Sequence, residues 1–178
     1  MGLDMTVEAG VSSGLPAVVG ARRAAVRKLG QELGIPAAQL PPEMFTFLTK
    51  VHYKASSGEV WGEHEIDYIF VAQADIDLDP NPNEVSEAIF LDREGLSELL
   101  AESDRGEISF TPWSRYIIDN FLYHWWDHLG KSSLEAFRDD KIHRVGECVL
   151  EERGGEETGA NRREVGVAEV GGKGKGEE

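Results

Sequence analysis

Residues 61–72 read Trp61-Gly62-Glu63-His64-Glu65-Ile66-Asp67-Tyr68-Ile69-Phe70-Val71-Ala72, and the fold turns on how this stretch is placed. Its second half is apolar and β-prone, which predicts a strand running into a core. Alternate strand residues point the same way, so Glu63, Glu65 and Asp67 share one face. Three carboxylates in a row at the mouth of a buried strand repel one another, and desolvation makes that worse. A divalent metal bound through oxygen relieves the repulsion, and so does water if the strand end is exposed. The residues alone leave both readings open.

Working outward, the stretch before it predicts a pairing partner. Met44 to Lys54 reads as one long strand, or two with a bend, and Ser56-Ser57-Gly58 as the turn that makes a hairpin. After it, Asp75 to Asn83 is a turn-rich acidic loop that lacks the Gly and terminal Glu of an EF-hand calcium loop. Val85 to Leu91 predicts another strand, ending at Asp92, which caps a helix over Arg93 to Ala101. Thr111-Pro112-Trp113 is a cap-then-proline start for a helix over Pro112 to Leu129. Trp113, Ile117, Phe121 and Trp125 recur there at steps of four, a stripe that must pack on the sheet.

Upstream, Val26, Leu29 and Leu33 give one apolar face to a helix from Ala21, which Gly34 stops. Gly30 inside that helix points to a close packing contact. Residues 1–20 read as a flexible lead-in, 21–150 as the domain, and 151–178, with eight Gly, as a disordered tail. The order of elements predicts an α/β sandwich with a mixed sheet, because the βα alternation is too sparse for a doubly wound parallel one.

A net charge of −15 argues against a non-specific nucleic-acid binder, which needs a basic footprint. Lone Cys148 excludes an intramolecular disulfide and fits a reducing compartment. No apolar run approaches the roughly 18 residues of a membrane span, and no signal-peptide core follows Met1. The expected setting is therefore soluble and intracellular, the cytoplasm or else the peroxisome, with no membrane insertion.

Tyr53, Trp61 to Tyr68, Asn81-Pro82-Asn83-Glu84, Thr111-Pro112-Trp113 and Trp125-Trp126-Asp127 occur in an order and at spacings that resemble type I isopentenyl-diphosphate Δ-isomerase, in its eukaryotic branch. The resemblance covers about Arg22 to Leu129. It implies a Nudix-type α/β/α fold and the interconversion of isopentenyl and dimethylallyl diphosphate by protonation and deprotonation. It also implies Mg²⁺, and a second divalent metal, as cofactors and a small prenyl diphosphate as substrate. The family's metal-binding glutamates fall on Glu63 and Glu65, the second also being the acid/base group. Its site tyrosine falls on Tyr53 and its site tryptophan on Trp113. Its diphosphate-binding basic residue falls on Lys28, and the acid near the second metal on Glu32.

The chemistry of those residues agrees with such roles. Protonating an unactivated alkene makes a tertiary carbocation, so the site needs a well-placed acid and a cation stabiliser. A glutamic acid beside a metal, with a tyrosine to share its proton, supplies the first. The π-face of Trp113 supplies the second, worth about 2 kcal/mol or more when desolvated.

The family also uses a cysteine, in a string resembling Thr-Asn-Thr-Cys-Cys-Ser-His-Pro, and metal-binding histidines. Here no Cys precedes Cys148 and no His precedes His52. The chain is therefore expected to be the C-terminal portion of an isomerase, impaired or inactive alone, with an open sheet edge. Two other functions compete. One is a catalytically dead domain that binds a prenyl diphosphate or a partner chain. The other is Nudix hydrolysis, disfavoured because Lys28 and Gln31 replace two of the three acids of its box along Arg27 to Ile35. His124 and His128, spaced for a metal, have no evident carboxylate partner and read as an exposed helix flank.

Overall fold

The computed structural model describes residues 17–57, 61–130, 134–146, 148–150 and 163–165, and of these only the backbone at 55–57, 61–62, 148–150 and 163–165. The predicted hairpin is its centre. Strands β1 (Thr46–Ser57) and β2 (Trp61–Val71) pair antiparallel, with Thr46 opposite Val71 and Ser57 opposite Trp61. The turn expected at Ser56-Ser57-Gly58 lies partly outside the described residues, at 58–60. The first strand does not break in two. Its register shifts between Phe47 and Thr49, a bulge that absorbs Leu48 and lets the ladder continue.

β2 is regular, so its side chains sort by parity. Ile69 and Val71 enter one core with Leu48 and Val51, while Phe70 enters another with Phe47. Helix α1 (Ala17–Glu32) covers the Phe47 and Phe70 face with Ala21, Ala25 and Leu29. It starts four residues earlier than the sequence suggests, so Ala17 to Gly20 belong to the helix and not to the lead-in. The opposite face is covered by Leu96 of α2 (Arg93–Asp104) and by the helical run after Thr111. Two short strands that sequence patterning missed, β4 (Ile142–Arg144) and β5 (Cys148–Leu150), run parallel to β1. The sheet is therefore mixed, in the order β2-β1-β4, with helices on both faces. β3 (Ile108–Phe110) pairs with β6 (Arg163–Val165) in a separate ladder. β6 lies within the tail expected to be disordered; the rest of that tail, and residues 1–16, fall outside the described residues.

Two expectations need correction. Val85 to Leu91 forms no strand. Ile89 and Phe90, which would face opposite ways in a strand, are 41% and 54% exposed, and only Leu91 packs on the core. β-propensity yields no strand without a neighbour to pair with, and among the described residues no strand pairs there. The tryptophan helix is also more complex than a four-residue stripe. It runs as α3 (Pro112–Ile117), a π-helical turn (Ile118–Leu122) and α4 (Tyr123–Trp126). The wider turn rotates the sequence, so Ile118 and Leu122 join Ile117 and Trp125 in the core. Phe121 moves to the flank and stacks on Trp125, with ring centroids 5.2 Å apart.

The acidic loop ends α1. The amides of Asp79 and Asn81 donate to the carbonyls of Leu33 and Glu32 at 2.9 and 2.8 Å, satisfying groups the helix leaves orphaned. Gly34 makes this approach possible: its φ is +68°, and a Cβ there would lie 2.3 Å from the Asp79 carbonyl oxygen. The close contact expected at Gly30 thus occurs at Gly34. A Cβ on Gly30 would meet the Ile35 carbonyl oxygen at an ordinary 3.5 Å. Gly34→Ala should therefore lower stability by about 1–3 kcal/mol in urea denaturation. Gly30→Ala should raise it by up to about 1 kcal/mol.

Candidate active site

The hairpin register builds the site. Tyr53 stands directly opposite Glu65 across the ladder, and Glu63 follows two residues away on the same face. The Tyr53 side chain is only 4% exposed. Its hydroxyl donates to Glu63 Oε2 at 2.9 Å and lies 3.3 Å from Glu65 Oε2. Two carboxylates that would repel one another thus converge on one buried proton. Burial first, then the hydrogen bond to Glu63 and the charges of Asp67, Glu63 and Glu65, push the Tyr53 phenol far above its ordinary value. The tyrosine is held as a proton donor. Asp67, 1% exposed, continues the row inward beneath Glu65.

Trp113 stands beside this cluster. Its ring centroid lies 6.4 Å from that of Tyr53, with the planes tilted by 40°. Its placement follows from the start of α3. Thr111 caps the helix by accepting from the Ser114 amide, and Pro112 presets the first turn. The Ser114 hydroxyl, fully buried, donates to the Thr111 carbonyl at 2.9 Å and accepts from the Thr111 hydroxyl at 2.8 Å. That closed pair of hydrogen bonds fixes the turn on which Trp113 rides.

Lys28 and Glu32 are not brought to this cluster. They pair with each other at 2.5 Å on α1, the helix that packs over the other face of the sheet. One step round, Arg27 donates to Gln31 at 3.0 Å. The helix positions where a hydrolase would gather acids are occupied by two such i,i+4 pairs. Among the described residues, no group of three or more His, Cys, Asp or Glu is arranged to hold a metal. The His124 and His128 rings both pack on Phe137, and His128 Nδ1 donates to the His124 carbonyl.

A cluster that sequence patterning missed lies nearby. Asp139 accepts from the Thr49 hydroxyl at 2.8 Å and from the Lys141 amide at 3.0 Å, and it contacts His143 Nε2 at 3.0 Å. Burial alone would raise its carboxyl, but His143, Thr49 and the amide hold it below the ordinary value. His143 sits opposite Val51 in the β4 ladder, so this group fastens the C-terminal strand to β1. The signal was an Asp and a His four residues apart, which says nothing until the strand pairing is known.

An α/β/α sandwich with an acid–tyrosine pair on its central hairpin defines the class, and the comparisons agree. The NUDIX domain profile matches residues 18–114, and the chain belongs to that family. It is 48% identical over 128 residues to isopentenyl-diphosphate Delta-isomerase 1 of Bos taurus, covering 71% of this chain and 56% of that protein. It is 48% identical over 130 residues to isopentenyl-diphosphate Delta-isomerase I of Clarkia breweri, covering 71% and 45%. With isopentenyl-diphosphate delta-isomerase 2 of Homo sapiens it shares 46% over 128 residues, covering 71% and 56%. The chain spans about half the length of the curated relatives it matches. Among the described residues no helix is long and apolar enough to cross a membrane.

The raised Tyr53 value has a measurable consequence. The unfolded chain gives up its phenolic protons as the pH passes about 10, while folded Tyr53 does not. Its contribution to stability is therefore complete below that pH and lost above it. In metal-free buffer, denaturation followed from about pH 8 to 11 should show this alkaline loss, and Tyr53→Phe should reduce it.

Proposed function

We propose that this chain carries one half of the proton-transfer machinery of an isopentenyl-diphosphate Δ-isomerase. The observation that supports the reading is the Tyr53 hydroxyl shared between Glu63 and Glu65, with the face of Trp113 beside it. Moving the double bond adds a proton to one alkene carbon and removes one from the other side of the resulting tertiary cation. Glu65 exchanges the proton with substrate, Tyr53 holds and relays it, and the π-system of Trp113 stabilises the positive charge between the two transfers.

The donor set suits Mg²⁺. Glu63 and Glu65 offer ionisable oxygens that already converge on one point, and Mg²⁺ commonly takes one or two protein carboxylates with water and substrate oxygens. Bound there, the ion would neutralise the carboxylate pair and hold the anionic substrate. Lys28 is the candidate for the diphosphate end, with Glu32 beside it as the acid near a second divalent ion. That assignment rests on the resemblance, because α1 lies across the sheet from Tyr53.

The Tyr53 cluster serves one face of the alkene. None of residues 1–147 is a cysteine, so the cysteine that the resemblance implies as the second proton-transfer group falls on no residue of this stretch. Proton exchange is therefore the sensitive readout. The chain is incubated with isopentenyl diphosphate and Mg²⁺ in D₂O, and NMR follows solvent deuterium entering the substrate and any dimethylallyl diphosphate formed. Slow incorporation is expected, reduced at least about 100-fold by Glu65→Gln and abolished by chelating the metal. Incorporation unchanged by Glu65→Gln would sink the assignment, as would its absence from the unmodified chain.

A further inference from the structure

The sheet has a second face, and among the described residues only half of it is covered. α1 packs over the half that holds Phe47, Tyr68 and Phe70. On the other half, pairing and parity bring together Lys50, His52 and Lys54 of β1, His64 and Ile66 of β2, and Ile142 and Arg144 of β4. None of these is acidic, although the chain has 33 Asp and Glu against 18 Lys and Arg. The acids of β2 all point the other way, towards Tyr53. Ile66 and Ile142, both in strands, remain 42% and 41% exposed.

The hydrogen bonds on this half-face have a direction. Arg144 Nη1 lies 3.4 Å from His52 Nδ1, and a guanidinium only donates, so that nitrogen accepts. The proton of His52 is then on Nε2, which donates to His64 Nε2 at 2.8 Å. His64 in turn carries its proton on Nδ1. Burial first, then Arg144 and His64, hold His52 below the ordinary imidazole value, in keeping with a neutral ring. The N–H donors on this half-face are His64 Nδ1, the remaining nitrogens of Arg144 and the ammonium group of Lys50. Ionised carboxylates, which only accept, are their natural complement.

We propose that this open half-face is a docking site for an acidic polypeptide segment in which carboxylates alternate with apolar side chains. The carboxylates meet the donor row, and the apolar residues cover Ile66 and Ile142. Charge decides between this and larger anionic partners. A membrane or nucleic acid presents negative charge over distances where the whole chain, at −15, opposes approach. A short peptide stays within about 8 Å of the cationic patch, the screening length at physiological salt. The proposal is independent of the isomerase reading.

The test uses the full chain, isotopically labelled for NMR, and a short peptide of Glu alternating with Leu and Val. A control peptide carries Lys at each Glu position. Binding should shift the amides of Ile66, Ile142 and Arg144, weaken as salt rises, and fall at least about tenfold in a Lys50→Glu, Arg144→Glu variant. A Lys50→Arg, Arg144→Lys variant should retain it, which separates lost charge from lost fold. The idea fails if the acidic peptide does not bind, if the Lys peptide binds equally well, or if charge reversal leaves affinity unchanged. It also fails if vesicles of phosphatidylcholine with phosphatidylserine bind more tightly than the peptide. Sedimentation that shows self-association through this face, lost on charge reversal, would overturn it in favour of a second copy.

Discussion

One phenolic proton shared between two glutamates is the constraint that the rest of this domain serves. Carboxylates on the same face of one strand repel, and more strongly as the strand enters the core. Tyr53 offsets that repulsion because the ladder sets it opposite Glu65 and burial of its ring aims the hydroxyl at both carboxylates. The bulge at Leu48 matters for the same reason. It lets β1 carry Phe47 to one core and Leu48 to the other while keeping Val51 and Tyr53 in register with the acids. A one-residue slip would turn Tyr53 to the opposite face.

Trp113 depends on a different kind of constraint, one that is local to a helix end. The Thr111 cap, the Pro112 turn and the buried Ser114 hydroxyl fix its backbone, and the core residues Ile117 and Ile118 anchor the helix behind it. Tyr53 and Trp113 meet ring to ring, and Trp113 packs on the apolar cluster that holds Val51, Ile69 and Ile117.

The hairpin was legible because it is a short-range object: alternation, a turn signal and a second alternation all lie within one stretch. The caps at Asp92 and Thr111 were legible for the same reason, since a cap acts on residues two or three positions away. What failed to show was whatever depends on distant partners. Val85 to Leu91 has the composition of a strand, but composition does not provide a ladder. Ile142 to Arg144 has little β-signal and becomes a strand because β1 offers an edge and Asp139 ties it there. In the site, Glu63, Glu65 and Tyr53 followed from parity and pairing together with the resemblance. Lys28 and Glu32 did not join them, because helix periodicity says which residues share a side of α1 but not which face of the sheet α1 will cover. The π-helical turn was equally invisible, as a single widened turn leaves no mark on a stripe of apolar residues.

The same division between near and far partners orders events in time. The ladder that brings Tyr53 to Glu65 closes between segments joined by one short turn, so its loop entropy is small and it can form among the earliest contacts. β4 and β5 reach β1 only after nearly the whole domain has been threaded between them. Parallel additions of that kind are slow and come late. During synthesis and folding, the acid–tyrosine pair is therefore assembled before the sheet is complete. For that interval, β1 has a bare edge next to a finished half-site, where the competing partner is any extended chain that arrives before residues 142–150 do.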